Sequence, residues 1–268
     1  MNSPIGPNTS YATVRDFCDS ADHLPEITGL NGDLKNVQRP WMVKSLLRCV
    51  PPPARILEVG GGEPIVSSLL AELGYDVTLV DPYNGLLGHG PTDYEEYCAA
   101  FPNVRIVRDY FRSGTPAIAG EQFDAIFSVS VLEHVMPHLG AICFEGIRDH
   151  LSPGGYSVHC FDLVLEGARA HLHRDSAARL LESQAALGGT TPEDVDVLLS
   201  RIRNDLETFY LSPQGHQQWR GNKAYDEFPF RKVVSVQTVA SYVRQRVEAT
   251  AVYAPTAAAF GAATVPAQ

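Results

Sequence analysis

Residues 55–64, Arg-Ile-Leu-Glu-Val-Gly-Gly-Gly-Glu-Pro, constrain the fold more than any other segment. An apolar run ends near Glu58, three glycines follow, and residues 65–73 have the amphipathic pattern of a helix, so the segment predicts strand, tight turn and helix. Glycine permits a sharp turn and lets a ligand approach bare main chain, and Pro64 suits the first turn of a helix, which has no use for its N–H. We therefore expect a ligand at this turn.

The charge around the glycines indicates what kind of ligand this is. Residues 56–104 contain no Lys or Arg, but they contain Glu58, Glu63, Glu72, Asp76, Asp81, Asp93, Glu95 and Glu96. A phosphate at the helix start would therefore meet charge of the wrong sign, and a cationic ligand fits better. The dinucleotide fingerprint G-x-G-x-x-G also requires a glycine at the position of Ile65, which disfavours a nicotinamide-dependent oxidoreductase.

These residues resemble the first motif of the class I S-adenosylmethionine-dependent methyltransferases, acid-x-Gly-x-Gly-x-Gly at the end of the first core strand. Glu58, Gly60 and Gly62 match this motif, and Pro64 departs from it at the third glycine. The resemblance implies an α/β fold with a Rossmann-like doubly wound sheet, and S-adenosylmethionine as the methyl donor. It places Glu58, Gly60, Gly61 and Gly62 in the donor site.

Acidic residues follow the next two predicted strands. Residues 77–80 end in Asp81, whose carboxylate could accept hydrogen bonds from ribose hydroxyls, so Asp81 and the adjoining Pro82 are predicted to bind the donor. The alternative for Asp81 is a turn-forming role before Pro82. Residues 104–107 precede Asp109 and Tyr110, which the resemblance places at the adenine ring; Asp109 could equally cap a loop.

A fourth predicted strand, residues 123–130, leads into Val-Leu-Glu-His-Val, which is similar to a motif of small-molecule methyltransferases in this class. Ligands of open α/β sheets lie beyond the carboxyl ends of the strands. Ser128 and Ser130 are therefore predicted beside the donor, and His134 is predicted as the general base, with His138 and His159 as further candidates. The alternative for His134 is that it only shapes the pocket. A Pro-Gly-Gly turn before a fifth strand, residues 156–161, is also typical of the family.

The segments around this core complete the predicted organisation. Residues 1–53 are predicted as an N-terminal helical cap and residues 54–161 as the S-adenosylmethionine-binding core. Residues 162–230 are predicted as a helical insertion, with helices over 176–187 and 192–209, that serves substrate recognition or a dimer contact and includes the polar, aromatic surroundings of Trp219. Residues 231–268 are predicted as the end of the core and a loose C-terminus, with a strand over 233–236 and a helix over 237–247.

Composition excludes several partners. A net charge of -10, from 21 basic and 31 acidic residues, opposes docking on nucleic acid or on an anionic membrane. The five cysteines lie far apart, as reduced core residues do, and the sequence shows neither a membrane-length apolar run nor a signal peptide. A cytoplasmic location is expected.

The resulting prediction is O-methylation of a hydroxylated small molecule or sugar, with a homodimer as a possible assembly. The alternatives are N-methylation of a small amine, which needs no base, and a non-catalytic S-adenosylmethionine-binding regulator. No metal is expected, because His171 and His173, two residues apart, point in different directions on a helix and lack a recognised ligand spacing.

Overall fold

The computed structural model describes residues 8–29, 34–85, 92–167, 170–212, 215, 217 and 232–243. Its strands are β1 (Asn8–Tyr11), β2 (Arg55–Val59), β3 (Asp76–Asp81), β4 (Arg105–Arg108), β5 (Phe123–Val129), β6 (Leu151–Val164) and β7 (Val233–Ser241). Its helices are α1 (Val14–His23), α2 (Lys35–Cys49), α3 (Ile65–Glu72), α4 (Tyr94–Ala100), α5 (Pro137–His150), α6 (Ala170–Gly188) and α7 (Val195–Asn204).

The strands form one sheet in the order β1-β7-β6-β5-β2-β3-β4. Strands β4, β3, β2, β5 and β6 are parallel, β7 runs antiparallel to β6, and β1 runs antiparallel to β7. The carboxyl ends of the parallel strands therefore meet at one edge of the sheet, where ligands of such folds bind. Within the N-terminal segment that was predicted to be helical, β1 covers the edge of β7, which would otherwise expose unpaired backbone groups.

Helices cover both faces of the sheet, so the protein has three layers around two apolar clusters. On one face, α2 and α3 cover a cluster that contains Ile56, Val77 and Phe127. On the other face, α5, α6 and α7 contribute to a cluster that also contains Leu57 and Ile126 of the central strands. The described helices within residues 162–230 therefore pack on the sheet itself.

The prediction of a helix over residues 237–247 is wrong for the part that the structure describes, residues 237–243. Strand β7 continues to Ser241 and pairs with β6 along its whole length, from Val233 opposite Val164 to Ser241 opposite Tyr156. Most of β7 is buried, so its sequence lacks the alternation of a half-exposed strand and can be mistaken for a buried helix. Among the described residues, no helix is long and apolar enough to cross a membrane.

Candidate active site

The turn after β2 has a backbone that only glycine suits. Gly60 and Gly62 have φ angles of +69° and +58°, in the left-handed region. A Cβ atom at Gly60 would lie 2.7 Å from Cγ1 of Val131, and a Cβ atom at Gly61 would lie 2.7 Å from Cδ of Glu58. The Val131 contact also shows that the turn after β5 lies directly against the glycine turn.

Glu58 lies beneath this turn with 2% of its surface exposed. The Ser67 hydroxyl, on α3, donates a hydrogen bond of 2.5 Å to its Oε2 atom. Burial raises the pKa of Glu58 to about 7, although the Ser67 hydrogen bond and the charge of Arg39 act in the opposite direction. Glu58 thus ties β2 to the start of α3 and places a titratable carboxyl at the glycine turn.

Asp81, at the end of β3, closes the turn from the neighbouring strand. Its Oδ2 accepts a hydrogen bond of 3.1 Å from Gly62 N, and its Oδ1 accepts one of 2.8 Å from Tyr83 N. Burial raises the pKa of Asp81, and these two hydrogen bonds partly offset that effect. The structure therefore brings Glu58, Asp81 and the glycines together, with Pro82 in the same loop.

Asp109 and Tyr110 follow β4, which pairs with β3, so they lie at the same edge of the sheet. Asp109 Oδ1 accepts a hydrogen bond of 2.7 Å from Tyr110 N, which is the loop-capping geometry considered as its alternative role. Tyr110 is 46% exposed, and its hydroxyl accepts a hydrogen bond of 2.6 Å from Asn84 Nδ2. The exposed ring of Tyr110 is available to a ligand that lies across β3 and β4.

The turn after β5 carries Ser130 and His134. Ser130 has a φ of +55°, which is uncommon for a residue other than glycine, and a short 3₁₀ segment, Leu132–His134, follows it. The His134 side chain is 60% exposed, and its Nε2 lies 3.8 Å from Oε1 of Glu133. His138 is exposed in the first turn of α5. Both histidines are thus on the strand-end edge that carries the glycine turn.

Two predicted site residues lie inside the sheet, where a ligand at the strand ends does not reach them. Ser128 and His159 face each other in register on β5 and β6, and both are 0% exposed. The hydroxyls of Ser128 and Ser157 each lie 2.8 Å from a ring nitrogen of His159, and burial lowers the pKa of His159 to about 3. Ser128 as a donor-binding residue and His159 as a base are therefore wrong predictions, and both residues are part of a buried polar contact.

A group of buried polar residues adjoining His134 was not predicted from the sequence. Glu133 Oε1 accepts a hydrogen bond of 2.8 Å from Asp162 N, and Asp162 Oδ1 accepts one of 2.8 Å from Gln38 Nε2. Burial raises the pKa of both carboxyls, and for Asp162 the charge of Glu133 adds to the effect. Glu133 could have been found, because it adjoins His134 in the motif, whereas Asp162 and Gln38 gave no signal.

This arrangement agrees with the family comparison. Residues 34–223 match the model of a family described as a methyltransferase domain. The chain belongs to that methyltransferase family. Together with the sheet topology, the match confirms the predicted class I S-adenosylmethionine-dependent methyltransferase family and its α/β fold.

Curated relatives match only parts of this chain. An uncharacterized protein of Mycobacterium tuberculosis is 30% identical over 46% of the chain and 42% of its own length. The ubiquinone biosynthesis O-methyltransferase of Azorhizobium caulinodans is 38% identical over 30% of the chain and 30% of its own length. The chain thus spans less than half the length of either relative.

Among solved structures, 1,6-didemethyltoxoflavin-N1-methyltransferase of Burkholderia thailandensis has a TM-score of 0.48 and 15% identity, covering 91% of this chain and 94% of its own. A TehB-like methyltransferase of Corynebacterium glutamicum has a TM-score of 0.39 and 18% identity, covering 61% of this chain and 82% of its own.

The part of the chain that the structure describes contains no group of three or more His, Cys, Asp or Glu residues placed to hold a metal ion.

Proposed function

We propose that this protein transfers the methyl group of S-adenosylmethionine to a hydroxyl of a small molecule. The observation that carries the proposal is the turn over Gly60, Gly61 and Gly62, which leaves no space for side chains at Gly60 or Gly61 and is closed by Asp81. The turn lies against Val131, in the same loop as His134, so the predicted donor and acceptor sides adjoin.

The donor would be held by the glycine backbone and by the residues at the strand ends. Asp81 with Pro82, Asp109 with Tyr110, and Ser130 are the candidates that the described structure keeps at this edge. The donor carries a sulfonium, and the buried carboxyls of Glu58 and Asp81 give the turn a field that attracts positive charge. A cationic donor therefore fits the turn better than a dinucleotide phosphate does.

Because the donor is already activated, the main contribution of the protein is to hold the acceptor oxygen in line with the methyl group, which in well-oriented systems is worth about 7–11 kcal/mol. His134, whose side chain is 60% exposed, would take the hydroxyl proton, an effect of about 10²–10⁴ in rate. The carboxyl of Glu133, 3.8 Å away, would stabilise the imidazolium that forms.

The acceptor side is formed by elements outside the glycine turn. Helix α6 packs against the 3₁₀ segment that carries His134, which supports a substrate-recognition role for residues 162–230. Trp219 and its polar neighbours in residues 218–222, the segment proposed to contact the acceptor, lie outside the described residues.

The Azorhizobium relative is an O-methyltransferase by name, which supports a hydroxyl acceptor. The acidic net charge favours a small molecule over nucleic acid, and a homodimer remains part of the proposal.

Two measurements test the function. Calorimetry with S-adenosylhomocysteine should show binding by the wild-type protein, and tritiated S-adenosylmethionine should label a member of a panel of hydroxylated metabolites. With that acceptor, His134→Ala should lower kcat by about 10²–10⁴ while donor affinity stays unchanged. His23→Ala, which removes an exposed histidine at the end of α1, is the matched control, and His138→Ala tests the second candidate base.

The outcomes separate the alternatives. Absence of donor binding would remove the methyltransferase proposal. Donor binding without transfer to any acceptor would favour a non-catalytic regulator. Transfer to an amine with a rate that His134→Ala leaves unchanged would favour N-methylation, because a neutral amine attacks without a base.

A further inference from the structure

Tyr83 is a buried aromatic residue in a backbone conformation that side chains seldom adopt. It follows Asp81 and Pro82, has a φ of +46°, and is 1% exposed. Left-handed backbone costs a residue with a side chain roughly 1–2 kcal/mol. Surrounding contacts must hold such a residue in place, and strained residues of this kind cluster at functional sites.

The contacts that hold Tyr83 lead to Gly62. The Tyr83 hydroxyl donates a hydrogen bond of 2.7 Å to the carbonyl oxygen of Gly62. The carboxyl of Asp81 accepts hydrogen bonds from the N–H groups of both Gly62 and Tyr83. The loop after β3 therefore fixes the peptide groups on both sides of Gly62, and these interactions form a closed ring.

The ring of Tyr83 is itself fixed by α4. Its centroid lies 5.5 Å from that of Tyr94 and 6.0 Å from that of Tyr97, both in tilted orientations. Burial raises the pKa of Tyr83, and the charge of Asp81 adds to this, so the phenol stays protonated and keeps its proton for the Gly62 carbonyl. Without this hydrogen bond, the carbonyl side of Gly62 would lose its restraint from Tyr83, and glycine has wide conformational freedom where no contact restrains it.

We propose that Tyr83 is a positioning residue of the donor site, which orients the two peptide groups around Gly62 before the donor binds. This inference rests on the proposed function, because it assumes that the glycine turn binds the donor. A turn that is already ordered loses less conformational entropy on binding, so the hydroxyl of Tyr83 increases donor affinity without touching the donor.

The protein contains a matched control. Tyr75 is also buried, and its hydroxyl donates a hydrogen bond of 2.6 Å to a backbone carbonyl, that of Val50. Tyr75 precedes β3, at the opposite end of the strand from Asp81 and Tyr83. Tyr83→Phe and Tyr75→Phe therefore each remove one buried phenol-to-carbonyl hydrogen bond, but only the first affects the glycine turn.

We expect both variants to lower the melting temperature by similar amounts. Tyr83→Phe should also weaken S-adenosylhomocysteine binding roughly three- to tenfold, the value of one hydrogen bond, while Tyr75→Phe binds as the wild type does. Amide hydrogen exchange without ligand should be faster across residues 60–64 in Tyr83→Phe alone. Equal donor affinities in the two variants would overturn the inference.

The exchange measurement keeps this test separate from that of the proposed function. If wild-type protein bound no S-adenosylhomocysteine, the function would fail, but faster exchange in Tyr83→Phe alone would still support the ordering of the turn by Tyr83. If exchange across residues 60–64 were the same in both variants and in wild type, the ordering role would be refuted whether or not the donor binds.

Discussion

The close contact between the glycine turn and Val131 can be measured by comparing Gly60→Ala with Gly120→Ala. Both glycines have left-handed backbone, with φ angles of +69° and +75°, so each substitution carries the same backbone cost of about 1–2 kcal/mol. A Cβ atom at Gly120 meets nothing within 4 Å, whereas one at Gly60 would lie 2.7 Å and 3.0 Å from the two γ carbons of Val131. The two variants therefore differ mainly in this overlap.

Val131 is branched at Cβ and stiff at χ1, so relieving the overlap requires an unfavourable rotamer or a backbone shift. Overpacking of this kind costs about 1–3 kcal/mol. Urea unfolding followed by circular dichroism should show that Gly60→Ala loses about 1–3 kcal/mol more than Gly120→Ala. S-adenosylhomocysteine affinity should fall only in Gly60→Ala. Equal losses of stability, within about 0.5 kcal/mol, would refute the inference that the two turns are in tight contact.

Two further predictions concern pH. The pKa of His159 in the folded protein, about 3, is below its unfolded value of 6.5, so the unfolded state binds the proton first and the contribution of His159 to stability falls as the pH drops below 6.5. We expect this contribution, taken as the difference in unfolding free energy between wild type and His159→Gln, to fall by about 2 kcal/mol between pH 7.5 and pH 5. The raised pKa values of Glu58, Glu133 and Asp162 act in the opposite direction in both proteins, so identical pH profiles of the two would contradict this. The pKa of Glu58 is raised to about 7, so its charge appears as the pH rises from 6 to 8. S-adenosylmethionine carries a positive sulfonium and S-adenosylhomocysteine a neutral sulfur, so the ratio of their affinities should shift toward S-adenosylmethionine by up to about tenfold over this range. Glu58→Gln should abolish this pH dependence of the ratio. If the two affinities changed in parallel in the wild-type protein, the role of the Glu58 charge would be refuted.

The backbone geometry of the proposed donor side could be predicted because its signals are local in the sequence. Gly60 and Gly62 do have the left-handed backbone that only glycine adopts easily, and Asp81 lies at the end of a strand that pairs with β2. Glycines after a strand, and an acid after the next strand, are sufficient to predict such a site. Tyr83 was missed, since nothing in the residue type indicates a positive φ or a bond to Gly62.

The errors arise where strands are buried on both faces. Ser128 lies within β5, which has no exposed face to show which way each side chain points, whereas Ser130 lies just past the end of that strand. The same lack of alternation made the second half of β7 look like a helix. His159 was chosen for its residue type, and only the register with Ser128 shows that it is enclosed.

The two halves of the site also differ in how they are constructed. The proposed donor side consists of backbone from residues 60–62 held by a loop only about twenty residues away, and its close contacts leave no room for side chains at Gly60 or Gly61. The proposed acceptor side depends on hydrogen bonds that side chains make between distant segments, with Gln38 and Asp162 separated by 124 positions and Glu133 and Asp162 by 29. No local pattern encodes such pairs, so they are invisible in a single sequence. For this reason the class of methyl donor follows from the sequence, whereas the choice of acceptor depends on three-dimensional contacts.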